Sequence, residues 1–151
     1  LEAFSNINVN RIQLKLVGIN NDEINKINKD AKNVECLGNV YGDNLLNLYK
    51  NALALVYPSF YEGFGIPLIE SMSCGCPIIT SNIEVFHEVC GKGALFFNPH
   101  DITDIRNKML KVYKNPDLSQ KLTQTAYIQM KKFQIKEQSK ILINEINNII
   151  E

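Results

Sequence analysis

Short apolar runs alternate with longer amphipathic stretches along the first hundred residues of the chain. Five of these runs are rich in Val, Ile, Leu and Phe and predict strands: Leu14–Val17, Val34–Leu37, Leu53–Tyr57, Pro77–Thr80 and Ala94–Phe97. The runs are mostly continuous rather than alternating, which is typical of parallel strands covered by helices on both faces. Their alternation with helical patterns predicts an α/β fold built on a parallel sheet.

Patterns with helical spacing lie between these runs. The predicted helices are Asp22–Lys32, Asp43–Asn51, Ile66–Cys74 and a short helix or turn at Ile83–Val89. Pro67 stands near the first position of its helix, where its missing N–H costs nothing. Gly75 supplies the expected helix stop.

From Asp101 onward only helical patterns occur. One helix ends at the break Asn115-Pro116-Asp117, a second covers about 117–130, and a third carries Leu142, Ile146, Ile149 and Ile150 on one stripe. We therefore expect one domain over residues 1–151. It would have a sheet region to about residue 100 and a helical C-terminal tail, about 101–151, packed on that sheet.

The composition narrows the class of protein. Hydrophobic residues make up 45% of the chain, enough for a folded core. The 16 basic and 16 acidic residues cancel, which argues against a nucleic-acid partner. No apolar run approaches the roughly 20 residues that span a bilayer, and no secretion signal is visible, so we expect a cytoplasmic location. The chain starts on Leu1 without a Met, as the middle of a longer protein would.

The four cysteines favour neither a metal site nor a disulfide. The spacings of Cys36, Cys74, Cys76 and Cys90 match no zinc pattern. A single glycine between Cys74 and Cys76 gives poor geometry for a disulfide. Cys36 lies in an apolar strand-like run, where a small buried thiol is expected. We therefore predict reduced thiols and no bound metal.

The residues after the third predicted strand carry the candidate chemistry. Glu62-Gly63-Phe64-Gly65 follows the strand, and a helix begins at Ile66-Pro67. Ligands of open parallel sheets bind beyond the carboxyl ends of the strands, where this loop lies. The two glycines let the backbone approach a ligand, and the N–H groups and dipole of the helix suit a phosphate. Glu62 and Glu70 are expected to face one crevice, where each carboxylate can accept hydroxyl groups of a sugar or a ribose.

Each part of this segment also has a purely structural explanation. Gly-x-Gly turns between a strand and a helix are common, Glu70 could serve only the helix dipole, and Phe64 could be a core aromatic. The complete string, in order and at the end of a buried strand, favours ligand binding.

Four segments, in this order, resemble the motif of glycosyltransferase family four: Pro58-Ser59, Glu62–Pro67, Glu70-Ser71-Met72 and Gly75–Ile79. The resemblance covers nearly the whole chain and is far more specific than a lone Gly-rich loop. Enzymes of this family have the two-domain GT-B fold. The chain is similar to their C-terminal, donor-binding half, a Rossmann-like domain with helices on both faces of its parallel sheet.

The resemblance implies a retaining hexosyltransferase that uses a nucleoside-diphosphate sugar as its donor. Such enzymes need no metal and no other cofactor, and they modify a glycan, lipid or polysaccharide acceptor. The abundance of Ile, Asn and Lys indicates an AT-rich bacterium, in which enzymes of this kind build surface polysaccharide. The base and the sugar of the donor stay open.

The resemblance also implies roles for the matched positions. Glu62 is the expected catalytic residue and would contact the donor sugar near the reaction centre, while Glu70 would hold the ribose diol. Backbone amides of Phe64–Ile66 would meet the sugar and the diphosphate. The backbone of Val40 would meet the nucleobase, and Gly18 would line the same pocket. The expected donor-binding residues are thus Gly18, Val40, Glu62, Gly63, Phe64, Gly65, Ile66 and Glu70.

Family members neutralise the diphosphate with an Arg and a Lys that follow the first strand of this domain. The chain has no match for them, and Arg11 and Lys15 are not assigned the role. We expect these residues, the first strand and the acceptor-binding N-terminal domain upstream of Leu1. A sheet of order 3-2-1-4-5-6 without its first strand would have a gap at its centre, unless a neighbouring chain fills the gap or the sheet closes up.

The fragment alone is therefore expected to be inactive. The location implied for the full-length enzyme is the cytoplasm, either free or as a peripheral protein at the inner face of the membrane. Two other functions fit the same segments. One is a GT-B sugar-nucleotide epimerase, which the paired glutamates disfavour, and the other is a non-catalytic nucleotide-sugar-binding subunit. Of the two histidines, His100 is expected in a surface loop, and His87 lies in a segment that borders the donor site in relatives.

Overall fold

The computed structural model describes residues 1–7, 9, 11–19 and 33–133. Five short strands lie in this part of the chain: β1 (Leu14–Leu16), β2 (Val34–Cys36), β3 (Leu55–Tyr57), β4 (Ile78–Ser81) and β5 (Ala94–Phe97). All five predicted strands are confirmed. β3 begins two residues later than predicted, because the chain bends at Leu53 and leaves that side chain exposed.

The helices between and after the strands are α1 (Glu2–Ser5), α2 (Gly42–Asn51), α3 (Ile66–Ser73), α4 (Glu84–Cys90), α5 (Ile102–Lys114) and α6 (Pro116–Met130). A single 3-10 turn, Lys131–Phe133, follows α6. The short segment predicted as a helix or a turn is the helix α4. The predicted helix Asp22–Lys32 and the predicted tail helix that carries Leu142 lie outside the described residues. Within those residues, no helix combines the length and the apolar character that a bilayer crossing requires.

Side-chain caps explain where the two tail helices begin. Asp101 precedes α5, and its carboxylate accepts hydrogen bonds from the backbone N–H groups of Thr103, at 2.8 Å, and Asp104, at 3.1 Å. Asn115 precedes α6 and accepts from the backbone N–H of Leu118 at 3.0 Å. These bonds satisfy donors that the first turn of a helix leaves unpaired, so the chain restarts as a helix at both points.

The sheet β3-β4-β5 is parallel throughout and forms the centre of the described structure. Every residue of β4 is buried, and successive side chains point to opposite faces. Ile78 joins a cluster with Leu68 of α3 and Phe86 of α4. Its neighbour Ile79 joins a second cluster on the other face with Val112 of α5. Helices therefore cover both faces of this sheet, as the continuous apolar runs predicted.

The strands β1 and β2 form a separate two-stranded parallel sheet. The described residues of β1 and β2 are only half-buried or exposed. The expectation of a buried Cys36 thiol is therefore wrong, because β2 is an edge strand and Cys36 is only half-buried. On this sheet Lys15 of β1 pairs with Glu35 of β2 at 3.3 Å between Nζ and Oε2. Among the described residues, no ladder of hydrogen bonds joins β1 to β3. The sheet is therefore divided at the position where the first strand of the domain was expected to be missing.

Candidate functional site

The loop between β3 and α3 turns sharply into the helix at Gly65. This residue precedes the first helical residue with a φ of +95° and is buried. A Cβ at Gly65 would lie 2.9 Å from Cε1 of Phe86 and 3.0 Å from Cδ1 of Leu68, closer than carbon atoms pack. Pro67 stands in the first turn of α3, and no described side chain caps that turn. The start of α3 therefore presents backbone to the site, and the helix dipole there favours a negative ligand.

Glu62 is held by two hydroxyl groups from the end of β3. The phenol of Tyr57 donates to Oε1 of Glu62 at 2.7 Å. The hydroxyl of Ser59 donates to the same oxygen at 2.9 Å. Glu62 itself is half-buried. Hydrogen bonds to an ionised carboxylate are among the stronger ones in proteins, so these two contacts fix the orientation of the side chain.

Glu70 lies on the second turn of α3 and is held from a different element. The phenol of Tyr49, on α2, donates to Oε2 of Glu70 at 3.1 Å. Tyr49 is 8% exposed, so its ring is held by packing and its phenol has a fixed position. The helices α2 and α3 contact each other, and this hydrogen bond links them beside the loop.

Both phenols remain protonated donors far above neutral pH. Burial, followed by the hydrogen bond to Glu62 and the charge of that carboxylate, raises the pKa of Tyr57 to about 12. Burial is also the largest cause that raises the pKa of Tyr49, and Glu70 adds to it. The two tyrosines therefore act as hydrogen-bond donors to carboxylates rather than as bases at physiological pH.

The remaining predicted donor-binding residues fall into two groups. Gly63, Phe64 and Ile66 belong to the loop and to the start of α3, and all three are exposed. The Phe64 ring meets the Phe133 ring edge-on, with 5.6 Å between centroids. Phe64 is 42% exposed, so it is not the core aromatic of the structural alternative.

Gly18 and Val40 follow the carboxyl ends of β1 and β2. The backbone N–H of Gly18 donates to the carbonyl oxygen of Gly38 at 2.7 Å, which joins the two loops. Val40 lies two residues further along and is half-buried. These residues lie after strands of the other sheet, so the expected site draws on both sheets. The assignment of all eight residues to donor binding stays a prediction.

The other candidates do not join this site. His87 is exposed, hydrogen-bonds with the side chain of Asn82, and stacks on Phe96 with 3.9 Å between ring centroids. His100 is exposed and packs on Phe60, as expected for a surface loop. In the described part of the chain, no group of His, Cys, Asp and Glu side chains has the arrangement of a metal site.

All four thiols are free, and two of them are buried. Burial raises the pKa of the Cys90 thiol to about 12. Burial is also the main cause that raises the pKa of Cys76. Both thiols are therefore protonated at neutral pH, and neither has the thiolate character that a nucleophile needs.

The partners of the two glutamates were not predicted from the sequence. Tyr57 and Ser59 had a local signal, since they precede Glu62 by five and three residues on a strand end and the following turn. Tyr49 and Glu70 are 21 residues apart on different helices, and no spacing rule connects them. The hydroxyl donors around each carboxylate are the features that the structure adds.

The fold and the site together define a Rossmann-like half-domain with two oriented carboxylates, Glu62 in the loop between β3 and α3 and Glu70 on α3 itself. The sequence model described as "Glycosyl transferases group 1" matches residues 1–129, and the chain belongs to this family. The predicted resemblance is confirmed. The architecture, parallel sheets flanked by helices, is that of one half of a GT-B fold.

Individual relatives agree with this assignment. The chain is 38% identical over 100 residues to O-antigen chain mannosyltransferase B of Escherichia coli. The aligned segment covers 66% of the chain and 26% of that protein. It is 46% identical over 84 residues to O-antigen chain mannosyltransferase RfbU of Salmonella typhimurium. This aligned segment covers 56% of the chain and 24% of that protein. The chain thus spans about a quarter of the length of these curated relatives.

A solved structure shows the same fold at lower identity. Anabaena Alr3699/HepE, crystallised in complex with UDP, superposes with a TM-score of 0.82 at 16% identity. The match covers 97% of this chain and 43% of that protein. The likeness therefore concerns the fold, and the matched part is less than half of that protein.

Proposed function

We propose that this chain is the donor-binding domain of a retaining glycosyltransferase. The enzyme would move a hexosyl group from a nucleoside-diphosphate sugar to a glycan, lipid or polysaccharide acceptor. Glu62 would contact the donor sugar at the reaction centre, and Glu70 would hold the ribose diol. The N-terminal turn of α3 and the backbone at Phe64–Ile66 would face the diphosphate.

The observation that carries this proposal is the pair of carboxylates held by neutral hydroxyl donors. Glu62 keeps Oε2 and Glu70 keeps Oε1 without a described hydrogen bond. Acceptor oxygens of this kind suit the hydroxyl groups of sugars, which are donors, and they repel phosphate oxygens. The diphosphate would instead meet backbone N–H groups and the positive end of the helix dipole.

The relatives support a particular hexose and a particular kind of acceptor. Two of them are named as O-antigen chain mannosyltransferases. We therefore propose mannose as the transferred sugar and a growing surface polysaccharide as the acceptor. We propose that the full-length enzyme acts on the cytoplasmic side of the membrane, either free or peripherally attached.

The chain alone would bind the donor without transferring it. It spans about a quarter of the length of its curated relatives, and an acceptor needs a second surface opposite the donor. Family members carry an Arg and a Lys as diphosphate ligands, and Arg11 and Lys15 are the cations nearest in sequence to those positions. Lys15 is paired with Glu35. We propose that cations other than Arg11 and Lys15 neutralise the diphosphate.

Two alanine variants test the division of labour between the carboxylates. Glu70→Ala should weaken binding of a nucleoside diphosphate and of the corresponding nucleotide sugar to the same extent. Glu62→Ala should weaken only the nucleotide sugar. Glu84→Ala, an exposed glutamate of α4, is the matched control. Binding of GDP and GDP-mannose, and of UDP and UDP-glucose, would be measured by calorimetry on the purified chain.

Equal losses for both ligands in both site variants would contradict the assignment of Glu62 to the sugar and Glu70 to the ribose. Turnover of a nucleotide sugar by the purified chain would contradict the proposal that it only binds the donor. In the full-length enzyme, inversion of the anomeric configuration in the product would contradict the retaining mechanism.

A further inference from the structure

The two glutamates of the site differ in how many of their acceptor positions are already occupied. A carboxylate has two oxygens and about four lone-pair positions in all. Oε1 of Glu62 receives hydrogen bonds from Tyr57, at 2.7 Å, and from Ser59, at 2.9 Å. Both lone pairs of that oxygen are therefore engaged, and Oε2 is left for a ligand.

Within the described part of the chain, one acceptor position of Glu70 is engaged. Tyr49 donates to its Oε2 at 3.1 Å. Oε1 and the second lone pair of Oε2 therefore receive no hydrogen bond from the described residues. Glu70 can receive one hydroxyl on each of its oxygens, whereas Glu62 can do so only by displacing Tyr57 or Ser59.

We propose that Tyr57, Ser59 and Tyr49 are positioning residues that give the two carboxylates different recognition modes. Tyr57 and Ser59 restrict Glu62 to contacts through the single oxygen Oε2, so that it selects the position of a sugar hydroxyl. Tyr49 orients Glu70 and leaves both of its oxygens able to receive a vicinal diol. This inference rests on the proposed function and adds how the site distinguishes the sugar from the ribose.

The hydroxyl donors are themselves held in place. The ring of Tyr57 lies 5.6 Å from the ring of Phe86, between centroids, and its backbone carbonyl accepts from Thr80 Oγ1 at 3.0 Å. Because the raised pKa keeps the Tyr57 phenol protonated, the group remains a donor to Glu62. A rigid donor of this kind orients the carboxylate before a ligand arrives.

Ser59 has one hydroxyl proton and two neighbouring acceptors. Its Oγ lies 2.9 Å from Oε1 of Glu62 and 3.3 Å from the carbonyl oxygen of Tyr61. The carboxylate is both the closer and the charged acceptor, so it receives the proton. The variants Ser59→Ala and Ser59→Thr separate this hydrogen bond from the space that the side chain fills.

The test compares two ligands on the same chain. The probes are GDP-mannose and GDP, or UDP-glucose and UDP, whichever pair the wild-type chain binds more tightly, together with the matching 2′-deoxynucleoside diphosphate. Tyr57→Phe and Ser59→Ala should weaken the nucleotide sugar by up to about tenfold, because Glu62 is then no longer oriented before the ligand binds and its ordering opposes binding, and they should leave the nucleoside diphosphate unchanged. Ser59→Thr should retain wild-type affinity for both.

Tyr49→Phe should weaken both ligands by a similar factor and reduce the preference for ribose over 2′-deoxyribose. Tyr127→Phe on α6 is the control, because its exposed ring lies outside the site. Thermal unfolding of every variant checks that it is folded and compares its stability with that of the wild type. For Tyr57→Phe and Ser59→Ala the readout is the affinity for the nucleotide sugar divided by that for the nucleoside diphosphate. For Tyr49→Phe it is the affinity for the nucleoside diphosphate divided by that for its 2′-deoxy form. A general loss of structure would lower all of these affinities and leave both ratios unchanged.

Two results would overturn the inference while leaving the proposed function intact. One is that Tyr57→Phe and Ser59→Ala weaken both ligands equally, and the other is that neither variant changes either affinity. If the wild-type chain binds none of the probes, the proposed function fails, and this inference fails with it.

Discussion

Replacing Gly65 by alanine tests whether the turn into α3 depends on a missing side chain. Gly65 has a φ of +95°, and a residue with a Cβ pays roughly 1–2 kcal/mol in the left-handed region. The new Cβ would also lie 2.9 Å from Phe86 and 3.0 Å from Leu68. Overpacking of this kind costs about 1–3 kcal/mol. We therefore expect Gly65→Ala to lower the free energy of unfolding by about 2–5 kcal/mol.

Gly75→Ala is the matched control for the backbone contribution. Gly75 has a φ of +67° at the end of α3, and a Cβ there would meet no atom within 4 Å. It should therefore cost only the backbone part, about 1–2 kcal/mol. The difference between the two variants, about 1–3 kcal/mol, isolates the contact with Phe86 and Leu68.

The free energy of unfolding of both variants is measured by urea unfolding followed by circular dichroism. An unchanged m value shows that the variant changes stability and not the surface exposed on unfolding. Replacing Phe86 by leucine should relieve the contact with the new Cβ. Gly65→Ala should therefore lower the free energy of unfolding less in a Phe86→Leu background than in the wild type. Equal costs for Gly65→Ala and Gly75→Ala would refute the claim that close packing requires a glycine in this loop.

Four further variants test other parts of the structure. Gly93→Ala would place a Cβ 2.5 Å from the backbone Cα of Ala126, which cannot rotate away. The variant should therefore lower the free energy of unfolding, measured in urea, by at least about 1–3 kcal/mol, the cost expected for the contact at Gly65. Glu62→Gln should lower the pKa of Tyr57 from about 12 while burial keeps it above 10, as followed by NMR titration of the tyrosine ring. Because this pKa is raised on folding, its stabilising contribution is complete below pH 10 and is lost as the pH rises toward 12, so Tyr57→Phe should show less alkaline destabilisation than the wild type. Asp101→Ala removes the cap of α5 and should cost about 0.5–2 kcal/mol in thermal unfolding.

Local chemistry explains which parts of the fold could be predicted from the sequence. The strand β4 was predictable because buried parallel strands need continuous apolar residues. The ends of α3 were predictable because Pro67 and Gly75 act through their own backbone geometry. Features of this kind need no knowledge of the partner elements.

Features that depend on a distant partner were beyond the sequence. The half-burial of Cys36 follows from the position of β2 at a sheet edge, which its apolar run does not reveal. The approach of Phe86 to Gly65 and the bond between Tyr49 and Glu70 each join separate helices or loops. The sequence predicted the two carboxylates of the candidate site, and only the tertiary structure reveals which hydroxyl groups orient them.

Whether this chain binds a nucleotide sugar at the loop between β3 and α3 can be measured directly. The backbone amide signals of the isotopically labelled chain would be followed by NMR during titration with GDP-mannose and UDP-glucose. The proposed function predicts saturable shifts concentrated at residues 62–70 and near Gly18 and Val40, and loss of the response in Glu70→Ala. Absence of saturable shifts with either ligand, or shifts confined to residues outside those segments, would contradict it.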